Sequence, residues 1–304
     1  MTYGTRLHSL MDGDDRIVVL TAENWGPIVP IGLSGHPRFI DTGINEQALV
    51  GIASGLAVRG RVPFVHALSS FLTMRAFEFI RTDVGVGHLP VKLVGSLGGF
   101  LSEGNGPTHQ AVEDVALLRL IPQMRVFCPA SMQELEEALP VVLESPHPWY
   151  IRYIDRTTTA AIERVTEEGR AAFIGDGCDV GIIANGLMLE HAWQALTWLA
   201  ARGIHGTLMH ARFVAPFDRR ALEELSSQCR CLVTIEDHLL TGGLGEVVAS
   251  ELTLLRRDRP LLRIALEDWF SPGPLDAILE STGMTGPSLG ARIAHWIDAG
   301  TPAT

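Results

Sequence analysis

Glu46 and His109 are the two side chains whose surroundings point most directly to chemistry. Residues 41–47 read DTGINEQ and run at once into ALVGIASGLAVRG. Asn45 is a good helix N-cap, and an acidic residue in the first turn complements the helix dipole, so a helix start alone accounts for Glu46. A lone carboxylate placed there is also positioned for proton chemistry, and both readings stand on this stretch. The second signal is SEGNGPTHQAVEDVALLRLIP at 102–122. Gly104 and Gly106 relax the backbone and Pro107 fixes it, presenting Thr108 and His109 just before an amphipathic helix with its free N–H groups nearby. The plainer reading of the same residues is a glycine-rich cap with a solvent-facing histidine.

The elements that must hold these residues follow from the hydrophobic pattern. Short β-branched runs (RIVVLTAE, RVPFVHAL, PVKLVGSLGG, MRVFCPA, PWYIRYI) alternate with helical ones (EQALVGIASGLAVRG, FLTMRAFEFIRTDVG, AVEDVALLRLIP, SMQELEEALPVVLES). Strands that are apolar nearly throughout and alternate with helices predict a parallel sheet covered on both faces. A polar stretch, DRTTTAAIERVTEEGR, reads as a linker, and a second α/β unit begins near Gly175 with DVGIIANG, MLEHAWQALTWLAARG, HGTLMHARFVAPFD and CLVTIED. The fold class is therefore α/β with two doubly wound domains: 1–160, a linker at 161–175, and a smaller domain over 176–304. In such sheets ligands sit beyond the carboxyl ends of the strands, which turns attention to Glu23, Asn24, His66, residues 95–99 and the loop after them.

Composition narrows the function classes. The 304 residues are 46% hydrophobic, enough for about two cored domains, and the net charge of −11 repels phosphate backbones, so no nucleic-acid partner is expected. No apolar stretch approaches the roughly 20 residues of a membrane span, and MTYGTRLHSLMDGDD lacks the apolar core of a signal peptide, so the expected setting is cytoplasmic with no membrane role. Cys128, Cys178, Cys229 and Cys231 form no CxxC pair and are expected as reduced, buried thiols.

Taken in order, GINEQ with ASGLA after it, GRVPFVHALSSFLTMRAFEFIR, GNGPTHQAVEDVALLRLIP with VFCPAS, and then GIIANG, APFD, IEDH and TGGLGE resemble the transketolase family, in its middle and C-terminal domains. The resemblance runs from about Thr5 to the final helix. It implies that the first domain holds the aminopyrimidine ring of thiamine diphosphate. Glu46 falls at the carboxylate that hydrogen-bonds a pyrimidine nitrogen; a carboxyl group buried at a domain interface can keep a proton and donate it, which favours the tautomer that activates the thiazolium carbon. Phe71 falls at the aromatic ring that stacks on the pyrimidine, with an ordinary core phenylalanine as the alternative. Ile44 and Leu68, flanking these positions in sequence, are the further cofactor contacts expected.

The same resemblance places His109 against the oxygen atoms of the transferred two-carbon unit and Arg6, in GTRLHSL, at the acceptor's phosphate, a task that suits a guanidinium. A second phosphate-binding arginine belongs near WYIRYIDR, where Arg156 stands one residue late and Arg152 is the other candidate. Three departures bear on the acceptor. Leu97 stands where a phosphate-facing histidine is common, Asn105 replaces an aspartate that reads an acceptor hydroxyl, and His66 adds an imidazole at a strand end on the substrate side. They imply an aldehyde acceptor other than an ordinary pentose phosphate.

Nothing in the chain resembles the family's domain for magnesium and diphosphate. GDGCDVG at 175–181 imitates its GDG motif, but Asn185 follows too soon, and a turn into a strand explains it better. The chain itself is therefore expected to carry no metal site. A partner N-terminal subunit would supply the Mg2+ ligands, giving an α2β2 heterotetramer that acts on small sugar or aldehyde substrates. The competing readings are the beta subunit of a 2-oxoacid dehydrogenase, a deoxyxylulose-phosphate-synthase-like carboligase, and a non-catalytic scaffold. GPTHQ and IRYIDR favour transketolase over the first, and a scaffold needs none of Glu46, Phe71 and His109.

Overall fold

The computed structural model describes residues 2–27, 33 and 35–300. The first unit runs α1 (Tyr3–Gly13), β1 (Ile17–Thr21), β2 (Phe39–Asp41), α2 (Glu46–Val58), β3 (Val62–Leu68), α3 (Phe77–Phe79), β4 (Lys92–Ser96), α4 (Asp114–Arg119), β5 (Arg125–Phe127), α5 (Met132–Glu144) and β6 (Trp149–Arg152). The second runs β7 (Ala172–Ile174), β8 (Val180–Ala184), α6 (Met188–Ala200), β9 (Gly206–His210), β10 (Phe213–Ala215), α7 (Arg219–Gln228), β11 (Cys231–Leu239), α8 (Leu244–Leu254), β12 (Leu261–Leu266), α9 (Leu275–Ser281) and α10 (Gly286–Asp298).

Apolar residues dictate the layering. Along β1, Ile17 and Val19 point to one face and Val18 and Leu20 to the other, the two-residue period of a strand buried on both sides. One face is covered by Tyr3, Leu7 and Met11 of α1 with Leu135 and Leu139 of α5. The other is covered by Leu49 and Ala53 of α2 with Leu72, Ile80 and Val84 of the segment after β3. The seven-stranded sheet has the order β10-β5-β6-β4-β3-β1-β2 and the five-stranded sheet β12-β11-β8-β9-β7. Pairing is parallel except at one edge of each sheet, where β10 meets β5 and β7 meets β9 in antiparallel fashion.

Three features depart from the sequence expectation. β10 comes from the second unit yet completes the sheet of the first, covering an edge that would otherwise be open. β7 lies inside the stretch read as linker, pairing with β9. FLTMRAFEFIRTDVG is not a regular α-helix: wide π-type turns at Phe71–Arg75 and Ile80–Val86 bracket the single turn of α3, a geometry that recurs at functional sites. The cysteines are all free as expected, but Cys178 is exposed.

Candidate active site

Asn45 caps α2 as its sequence predicts, its side chain accepting from the Ala48 amide at 3.1 Å. That fixes Glu46 at the first helical position, where it is 2% exposed. A carboxylate this buried needs a partner, and Arg75 supplies it: Nη1 donates to Glu46 Oε2 at 2.8 Å. Arg75 closes the wide turn that begins at Phe71, and its guanidinium carbon lies 4.3 Å from the centre of the Phe71 ring. The Phe71 ring in turn meets the His109 imidazole edge-on at 5.0 Å. Thr108 Oγ1 and His109 Nδ1 lie 2.9 Å apart and fix the rotation of the ring. Glu46, Arg75, Phe71 and His109 thus form one chain of contacts drawn from three segments. Glu46 Oε1 makes no hydrogen bond among the described residues, which leaves one acceptor oxygen on a buried carboxylate beside a half-exposed aromatic ring. That pair suits a flat heteroaromatic ring whose edge nitrogen shares a proton with Oε1.

His109 is not held by a helix terminus. Its amide and that of Gln110 donate to the Gly106 carbonyl at 2.9 and 3.1 Å, making a turn, and α4 starts five residues later at Asp114.

Next to this group a cleft of about 410 Å3 opens beyond the carboxyl ends of the strands, lined by Asn24, Leu68, Leu97, Asn105, Tyr153 and Arg156 among others. Glu46, Arg75, Phe71 and His109 do not line it, but Leu68 is three residues from Phe71 and Asn105 four from His109. Asn24 Nδ2 donates to Ser96 Oγ at 2.9 Å across the floor. Asn105 is exposed, with Nδ2 donating to the Ser102 carbonyl at 2.8 Å. Ile44 is 68% exposed next to the cap of α2.

Three of the expected substrate contacts take different places in the fold. His66 is fully buried: Nδ1–H donates to the Leu20 carbonyl at 3.2 Å, which leaves Nε2 to accept from the Tyr3 hydroxyl at 2.9 Å. Burial pushes its pKa down to about 4, and the neutral imidazole is part of the core rather than the cleft wall. Arg6, one turn along α1, opens into a separate depression with Gln133, Glu136, Glu137 and Arg164. Of the two candidates near WYIRYIDR, Arg156 lines the cleft, whereas Arg152 is buried between the units. Arg152 Nε donates to Asp114 Oδ2 at 3.0 Å and Nη1 to Asp237 Oδ1 at 2.5 Å.

The second unit braces the loop above the cleft. Asp237 Oδ2 accepts from the Phe100 amide at 3.2 Å, Gln110 Nε2 donates to the Phe270 carbonyl at 2.8 Å, and the Phe100 and Phe270 rings meet edge-on at 5.1 Å. Sequence reasoning missed Arg75, Glu103 and Tyr153.

Comparison with known proteins agrees with this architecture. Residues 1–158 match the family model of the transketolase pyrimidine binding domain, and residues 169–289 that of the transketolase C-terminal domain. The chain is 34% identical to the 6-deoxy-6-sulfo-D-fructose transketolase subunit SqwH of Clostridium sp. (strain MSTE9), over 97% of this chain and 92% of that protein. It is 35% identical to the 1-deoxy-D-xylulose-5-phosphate synthase of Thermomicrobium roseum, over 95% of this chain but 47% of that longer enzyme. Among solved structures, a split gene transketolase described as an inactive beta4 tetramer superposes with a TM-score of 0.85 at 32% identity, covering 96% of this chain and 95% of that one. Two family models in the expected order, with relatives matched along nearly the whole length, show that the chain belongs to the transketolase family.

Proposed function

We propose that this chain is the C-terminal subunit of a two-component transketolase, moving a two-carbon ketol unit from a ketose donor to an aldehyde acceptor with less charge than a pentose phosphate or a different anionic group. The cofactors are thiamine diphosphate and Mg2+, with the Mg2+ ligands on an N-terminal partner in an α2β2 assembly. The observation that carries the reading is the buried Glu46, tied through Oε2 to Arg75 beside the Phe71 ring, with Oε1 left to engage a pyrimidine nitrogen.

Thiamine diphosphate, when bound, supplies the nucleophilic carbon and the electron sink that ketol transfer needs. This chain's own residues do the rest. Glu46 holds the proton relationship at the pyrimidine nitrogen through Oε1, Phe71 stacks on the ring, and Ile44 and Leu68 add apolar contact. His109 reaches the oxygen atoms of the ketol unit, and Asn105 and Arg156 face the acceptor.

A partner chain is supported by exposed apolar side chains just before the cap of α2 (Ile44), on α2 (Ile52) and on the segment after β3 (Met74, Phe79 and, at 70%, Val86). A patch of this kind around a half-built cofactor site is what a subunit interface covers. Near-full-length matches to a protein named as a transketolase subunit and to a split gene transketolase support a partner chain.

The test mixes the purified chain with its N-terminal partner, thiamine diphosphate and magnesium, and follows ketol transfer across a panel of donors and aldehydes. Donors include a 6-sulfo ketose as well as ketose phosphates. Activity is expected only from the mixture, and calorimetry on the lone chain is expected to find no tight cofactor binding. Activity or tight binding by the lone chain contradicts the proposal. The match to 1-deoxy-D-xylulose-5-phosphate synthases favours one second reading, condensation of pyruvate with an aldehyde, which the same mixture tests directly.

A further inference from the structure

We propose that Glu103 is a built-in counter-ion that sets acceptor specificity by occupying the anion site of Arg156; this rests on the ketol-transfer reading above. Arg156 is the one cationic side chain among the described residues that line the cleft. It is already spoken for. Nη2 donates to Glu103 Oε1 at 2.7 Å and Nη1 lies 3.1 Å from Asp155 Oδ1. Two carboxylates against one guanidinium leave this wall of the cleft negative before any substrate arrives.

Glu103 reaches Arg156 from an unusual backbone. Its φ of 47° and ψ of −120° lie where side-chain-bearing residues are rare, inside a loop that also turns left-handed at Leu97, Gly99 and Gly106. The surrounding loop is pinned, by Asn105 Nδ2 to the Ser102 carbonyl, by the Phe100 amide to Asp237 of the second unit, and by the Gly273 amide to the Glu103 carbonyl at 3.4 Å. A strained conformation survives when its surroundings hold it, and here they hold a carboxylate over the cleft.

The pair is displaceable rather than fixed, since both side chains are more than a third exposed and exposed ion pairs are weak. A phosphorylated aldehyde must expel Glu103 from Arg156 and then bind beside two carboxylates. An uncharged aldehyde meets no such cost. Discrimination arises from a repulsive element built against the wrong substrate, not from a new attractive contact.

The experiment uses the complex reconstituted with the N-terminal partner and compares kcat/KM for ribose 5-phosphate with that for unphosphorylated aldehydes, together with inhibition by inorganic phosphate. Glu103→Gln is expected to shift the ratio towards ribose 5-phosphate by roughly tenfold or more, carried by KM, and to tighten phosphate inhibition similarly, the scale of one charge-assisted hydrogen bond. Glu103→Gly removes the carboxylate and suits the left-handed backbone, so it tests the same point without a folding risk. Adding Arg156→Gln to either variant should abolish the gain. An unchanged ratio in Glu103→Gly, or a gain that survives loss of Arg156, overturns the proposal. A wild-type complex that transfers no ketol unit to any aldehyde instead overturns the functional reading beneath it.

Discussion

Arg75 Nη1 donates to Glu46 Oε2 at 2.8 Å while its guanidinium carbon lies 4.3 Å from the centre of the Phe71 ring. One arginine therefore sets both the carboxylate and the aromatic ring of the proposed cofactor site. The carboxylate gains a charge-assisted bond that fixes which oxygen points outwards, and the ring gains a cation–π contact that fixes its tilt.

Removing this link should misplace Glu46 without removing it. Arg75→Met in the reconstituted complex is expected to slow proton–deuterium exchange at the thiazolium carbon by roughly 10²-fold, the cost of small misplacements at a reacting centre. Arg75→Lys restores charge but not the planar fork, so partial recovery is expected. Exchange within twofold of wild type in Arg75→Met would show that the pair does not position Glu46 for this step.

The contact between the two units includes buried charge as well as apolar packing. Arg152, Asp114 and Asp237 are all nearly inaccessible, and Asp237 also receives the Phe100 amide. Asp237→Ala leaves Arg152 half-compensated and an amide unpaired, so a loss of about 3–5 kcal/mol is expected in denaturant unfolding. A loss below about 1 kcal/mol would show that the network is solvated in solution.

His66 makes stability depend on acid. Its pKa is about 4 in the fold against 6.5 for a free imidazole, so between those values the unfolded chain binds more protons. The contribution is intact above pH 6.5 and is lost as pH falls towards 4, by roughly 3 kcal/mol at 1.36 kcal/mol per pKa unit. Glu236, pushed up to about 7 by burial, works with the opposite sign across part of this window, so the measurement is a difference. From pH 7 to 4, wild type should lose about 3 kcal/mol more than His66→Gln. Parallel curves would mean that water reaches His66.

Much of this architecture was legible because its signals are local. IVVLT and VGIIA read as doubly buried strands from their residue types alone, and both are fully buried. Glu46 announced itself through a cap and a motif. What escaped notice depends on residues far apart in the chain. His66 looks like a substrate contact at a strand end until the Tyr3 hydroxyl, 63 residues away, satisfies it. Phe213–Ala215 sits inside a run that reads as one element of the second unit, yet pairs with β5 of the first. Arg75 looks like a helix-surface charge because the π-type turn that swings it towards Glu46 leaves no mark in periodicity. Glu103 sits between glycines, where a loop carboxylate attracts no attention until Arg156 is found against it.

The central claim is that Glu46 activates a thiamine cofactor shared with a partner chain. It is tested most directly by proton–deuterium exchange at the thiazolium carbon in the reconstituted complex, wild type against Glu46→Gln, with cofactor occupancy checked by calorimetry. Loss of the positioned carboxyl should slow exchange by about 10²–10⁴-fold at full occupancy, the usual contribution of one acid–base group. An unchanged exchange rate would contradict the account and reduce Glu46 to the residue that starts α2.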